Sequence, residues 1–210
     1  MGTSVHLTGS APAVAQWSRA TAGLHAQLVA LLDWQTAAPS RSKYARLISS
    51  LYSIVPAVER RIADVPGWSE YDTPITEHTR SEQLARDLRS LGMPLPPPCA
   101  ATLVPSIAST AHAFGAAFVL QDLRWQGAAL ARKLGPILGI TEHAGLCYLS
   151  ATTLALRSSA GLLVATLELW TREATPSQKR ASIATATATL ESIVKLCAQA
   201  AEKPETATPA

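Results

Sequence analysis

The chain has 210 residues, 48% of them apolar, and a formal net charge of +3. That length can bury a full core without disulfide staples. The scattered Lys and Arg, with no aromatics interleaved, exclude a basic nucleic-acid stripe. Ala and Leu dominate and only two Phe occur, a composition that suits packed helices better than sheets. Cys99, Cys147 and Cys197 are far apart and odd in number. They match neither a disulfide framework nor a zinc cluster, which favours three small core side chains in a reducing cytosol. No apolar run approaches the roughly 18 residues of a membrane span. Residues 1–12 carry neither the basic flank nor the apolar stretch of a secretory signal, so a soluble cytoplasmic protein is expected.

Residues 1–12 and 201–210 read as disordered tails, and the spacing between them is helical almost throughout. A first helix is expected from about Val14 to Gln35, with Trp17, Thr21, Leu24, His25, Leu28, Leu31 and Leu32 on one stripe. Ser40 can cap a second helix carrying Tyr44, Leu47, Ile48, Leu51, Tyr52 and Val55, which Pro56 should kink or interrupt before it resumes through Glu59 and Ile62. After a loop at 66–74, a short helix over Ser81–Leu91 should close at Gly92. The stretch Pro94–Pro98 is a stiff connector. A long apolar helix, broken near its middle, is expected over Leu103–Leu138. Another helical region opens at Glu142–Leu149 and runs to Trp170. Pro176 sits in the first turn of a last helix ending near Ala200. Its small residues over Ala181–Thr189 predict close packing against a neighbour. The sum is one all-α domain of about eight helices spanning residues 13–200.

Among these elements His25 is the candidate for chemistry. A helix-borne imidazole facing a core can present one ring nitrogen to a metal while the other is held by an acceptor. The alternative is a core histidine bonded to neighbouring helices. A di-iron carboxylate site on such a scaffold would need inward Glu-x-x-His spacings. Glu59, Glu168, His78 and His112 do not form any, and the adjacent Glu142 and His143 point about 100° apart on a helix. No Gly-x-Ser-x-Gly elbow, partner base for Cys147 or phosphate-cradling glycine loop is present.

Five segments stand in an order similar to that of the haem oxygenase family. Arg19-Ala20-Thr21 with His25 resembles the family's opening helix, and Tyr44 to Glu59 its second helix. Arg80, Leu84, Asp87-Leu88 and Leu91-Gly92 resemble its R…L-x-x-D-L-x-x-L-G segment. Phe114 to Leu120 is similar to the run entering its distal helix, and Gly145 to Leu149 to the segment after it. The resemblance covers Val14 to Cys197 and implies a haem-oxygenase-like multihelical bundle. It implies that His25 ligates haem, with Arg19, Thr21, Trp125 and Gly127 around the pocket and Asp122 ordering the distal proton supply. Haem would be both cofactor and substrate, cleaved to biliverdin, carbon monoxide and iron. Electrons would come from a ferredoxin or flavoprotein reductase, and the bilin could pass to a phytochrome. Neither nucleic acid nor membrane is an expected partner.

The chain departs from the family pattern in two places. Gly127 stands for a pair of adjacent glycines, with Trp125 and Gln126 where small residues would let the helix approach haem. The stretch that would hold the propionates, Ser159 to Thr166, has no basic residue, and only Arg157 and Arg19 are nearby. These departures carry an alternative expectation, a non-catalytic relative with a blocked pocket that acts as a binding or regulatory protein. An inward Trp125 would be the plug, and Asp122 with Arg124 would be an exposed helix pair.

Overall fold

A computed structural model of the chain describes residues 12–32, 40–71, 73, 79–150 and 153–202, with the side chains of 12, 13, 32, 79 and 153–160 outside that set. Seven α-helices occur among the described residues: α1 (Pro12–Leu32), α2 (Arg41–Ala63), α3 (Thr79–Ser90), α4 (Thr110–Leu138), α5 (Cys147–Ser150), α6 (Thr153–Glu173) and α7 (Pro176–Ala201). Two short 3₁₀ turns, Trp68–Glu70 and Ala101–Leu103, complete the order. Among the described residues the architecture is all-α, and no helix there is long and apolar enough to cross a membrane. The expectations for residues 1–11, 33–35 and 203–210, and for His78 and the Arg157 side chain, lie outside the described residues.

Local chemistry accounts for most boundaries. The Ser40 hydroxyl accepts from the Lys43 amide and caps α2. Thr175 and Gln178 form a reciprocal capping box at α7, with Pro176 at its first position. Gly92 takes a left-handed φ of 72°, and the Met93 amide returns to the Leu88 carbonyl to close α3.

Three boundaries differ from expectation. Helix α2 runs through Pro56 without interruption. The break there is only of one amide donor, and a turn earlier the Ser53 carbonyl accepts the Cys99 amide from the proline-rich connector. Helix α4 begins at Thr110, seven residues later than the apolar pattern suggests, because Pro105 holds Val104 extended at ψ 123°. It continues unbroken to Leu138, where Gly139 ends it in the left-handed region. Between α4 and α5, the amides of Thr141 and Ala144 each bond the other's carbonyl in a tight turn, and only three residues of the expected Glu142–Leu149 opening, Cys147 to Leu149, are helical.

Helix α4 is the centre of the core. From Ala113 to Arg124 every residue is buried, with α7, α5, α2 and α6 against it. Its closest approach is to α7. A side chain at Gly115 would meet the Ser182 carbonyl, so the backbones touch there and only glycine fits. Ser182 also accepts from Trp17 Nε1 at 3.1 Å, locking α1 onto the same crossing. The small residues of α7 thus serve the close packing that their composition predicts. An aromatic nest of Trp68, Tyr71 and Trp170 surrounds Phe114, with ring centroids 4.9–5.1 Å from it.

Candidate functional site

The stripe on α1 puts Trp17, Thr21, His25 and Leu28 inward, at the three- and four-residue spacing of one helical face. Thr21 is enclosed and donates to its own helix at the Trp17 carbonyl, 2.9 Å, so it shapes the face and offers no free hydroxyl. His25 is buried, and its Nε2 lies 2.6 Å from Oδ2 of Asp122 on α4. The ring N–H direction departs from the hydrogen-bond line, which makes the contact a close electrostatic approach of two buried groups. Gln126, one turn further along α4, donates from Nε2 to the same carboxylate oxygen at 3.0 Å. The carboxylate, 2% exposed, is thus clasped by an imidazole from α1 and an amide from its own helix.

Of the residues singled out in the sequence, the structure brings together His25 and Asp122. Arg19 is on the exposed side of α1 and donates from Nε to the Ala15 carbonyl, 3.1 Å away. Gly127 faces α5: a side chain there would come within 2.5 Å of Leu149 Cδ2. Trp125 is half-buried; the group against His25 is Asp122, and Gln126 bonds that carboxylate. Arg124 is not an exposed partner of Asp122. The two side chains are two residues apart, so they leave α4 about 200° from each other, and Arg124 is buried toward α3 and α5. Sequence reasoning placed Gln126 only as an obstacle. Its spacing of four from Asp122 was the signal for a helical hydrogen bond.

Haem does not fit this arrangement. Iron held by His25 Nε2 would sit where the Asp122 carboxylate stands, and no slot for a macrocycle separates the two atoms. A groove of about 690 Å³ does exist along α4, but it lies toward the C-terminal end, between Ala128, Gly135, Ile140 and Leu146. His25, Asp122 and Gln126 do not line it. Among the described residues, no group of three or more His, Cys, Asp or Glu side chains could hold a metal ion. Glu59 lies 3.6 Å from Arg80 Nη1 and accepts from Ser81. His112 Nδ1 is 2.7 Å from the Ser109 hydroxyl, and His143 is exposed beside Glu142.

The other motif residues frame the bundle. The Tyr44 hydroxyl donates to the Gly145 carbonyl at 2.8 Å, and burial pushes its proton affinity up. Asp87 accepts from the amides of Cys147 and Tyr148 at 2.6 and 2.9 Å, so α3 caps α5. Burial raises that carboxyl to about 6 against the pull of the two amides. Arg80, wholly enclosed, donates to Gln121 Oε1 at 3.0 Å and faces Glu59. Burial lowers its proton affinity, and Glu59 partly restores it. No protein-family model matches the chain, and no curated protein matches it.

Proposed function

We propose that the chain is a haem-oxygenase-like protein that keeps the family's helical scaffold and proximal histidine but works by binding rather than by ring cleavage. The observation that carries this reading is the 2.6 Å approach of Asp122 to His25 Nε2. The nitrogen that would ligate iron already faces a carboxylate, and Gln126 steadies that carboxylate. The exposed Arg19 and the lack of basic residues over 159–166 agree with it, since haem carboxylates are usually met by charge-assisted bonds. The ordered motif residues support the scaffold part of the reading, because Tyr44, Glu59, Arg80, Asp87 and Gly145 tie α2, α3 and α5 together.

One observation favours the oxygenase reading as a second choice. The buried His25 Nε2 has no well-directed hydrogen bond, which leaves its lone pair or proton available to a stronger partner. Titration of the purified protein with hemin separates the two readings. The binding reading expects no saturable Soret band in the parent, and the appearance of one in Asp122→Ala. A one-to-one band in the parent that vanishes in His25→Ala would sink it and establish His25 as an iron ligand. Reductant and a ferredoxin or flavoprotein reductase would then be added to look for biliverdin.

A further inference from the structure

Where α3, α4 and α5 meet, buried hydrogen-bond donors outnumber acceptors. One guanidinium there is matched: Arg80 has Gln121 Oε1 at 3.0 Å and Glu59 Oε1 at 3.6 Å. Arg124 is not matched in this way. Its Nη2 reaches only the neutral Oε1 of Gln83, at 3.2 Å. Its guanidinium carbon lies 6.0 Å over the Tyr148 ring, and its Nε has no acceptor. Two further donors are beside it with no partner among the described residues, Gln121 Nε2 on the same face of α4 and the Tyr148 hydroxyl. All three residues are more than nine-tenths buried. Burial and the charge of Arg80 push Arg124 down to about 10. The Tyr148 hydroxyl is raised to about 12 by burial, while Arg124 and Arg80 pull it back.

Among the described residues, the nearby carboxylates are already engaged. Glu59 faces Arg80 and Ser81. Asp87 spends both oxygens on the amides of α5, and its cation is Arg86. Buried polar groups are nearly always partnered, and a buried charge without a counter-charge is costly. Three neighbouring buried donors with one surplus positive charge match an acceptor that carries a single negative charge. The geometry points to a small monovalent anion, of halide or nitrate size, held between Arg124, Gln121 and Tyr148 inside the α3–α4–α5 junction. This site is separate from the His25–Asp122 pair, which faces α1.

Thermal unfolding at constant ionic strength, with gluconate replaced stepwise by bromide or chloride, tests the assignment. Gluconate is too large to enter the junction. The midpoint should rise with halide and saturate, as for a ligand bound only by the folded state. Tyr148→Phe removes one donor and keeps the ring, so half-saturation should move to about tenfold higher halide, the effect of losing one hydrogen bond to a charged group. Arg124→Met should abolish the response. Should Arg124→Met not fold, Tyr148→Phe and the anomalous signal of a bromide-soaked crystal decide. A bromide peak among the three side chains supports the site. An ordered water there, no halide effect on the parent, or equal effects in parent and variants would overturn it.

Discussion

Two buried polar regions flank α4, and they are built on different logic. On the side of α2, α3 and α5, Arg80, Glu59 and Asp87 each have more than one partner, whereas Arg124 does not. Arg80 meets Gln121 and Glu59, Glu59 also meets Ser81, and Asp87 takes two amides. On the side of α1, His25 meets Asp122, and Asp122 is steadied by Gln126 alone among the described residues. A dense network of this kind resists change, because removing any member strands the rest in a low dielectric. A sparse pair can exchange its partner for a ligand at small cost. The contrast teaches that the motif residues most visible in the sequence hold the frame, while the His25–Asp122 pair rests on one contact between two helices.

The comparison can be broken most severely at Arg80. Arg80→Met leaves Glu59 buried without its guanidinium and should cost about 3–5 kcal/mol, which chemical denaturation reads directly. A loss below about 1 kcal/mol would mean that the frame does not depend on this network. Asp87 comes next, and its effect depends on pH. The folded carboxyl titrates near 6 against an ordinary 3.8, so between those values the folded state binds more protons than the unfolded chain. Stability from this group is therefore greatest below about pH 4 and is lost as the pH rises through 6. Asp87→Asn should flatten that segment of the melting-temperature profile relative to the parent. An unchanged profile would assign the segment to other groups.

On the sparse side the expected effects are smaller. A double-mutant cycle over His25→Ala and Asp122→Ala should give a coupling of about 1–2 kcal/mol, in the range for contacting residues. A coupling near zero would remove the pair from the account of why the slot is closed. The smallest effect is expected at Gly127→Ala. The three atoms nearest the new methyl all belong to Leu149, with only its Cδ2 tip closer than van der Waals contact, so the overpacking cost should be about 1 kcal/mol. Denaturation midpoints would show it. Soret absorbance with hemin should not change in this variant, because the glycine faces α5.

Much of this was legible before any coordinates. Periodicity located the helices, and turn chemistry located several of their ends: Ser40, Gly92, Pro176. The late start of α4 was not legible from apolar spacing, since Leu103 and Ile107 continue the pattern; Pro105 decided it locally through Val104. The passage of α2 through Pro56 was also missed. A lost amide bond is tolerated when neighbouring groups pack around it, which here includes the Cys99 amide on Ser53. Near the site, His25 and Asp122 were both named from sequence, but as members of opposite walls with a ligand between them. Trp125 drew attention by its size, whereas Gln126 makes the hydrogen bond to the Asp122 carboxylate.

The sequence by itself determined that this is a chain of helices, which faces they bury, and where most of them stop. These properties depend on residues within a few positions of one another, through capping, proline and glycine geometry and the 3.6-residue period. Tertiary structure alone decided the partners: that Gly115 serves the α4–α7 crossing, that Arg124 turns away from Asp122 into the α3–α5 side, and that His25 faces a carboxylate 97 residues away in the chain. Such pairings follow from how helices pack. Small residues and shape decide that packing across the whole core, and no local spacing records it.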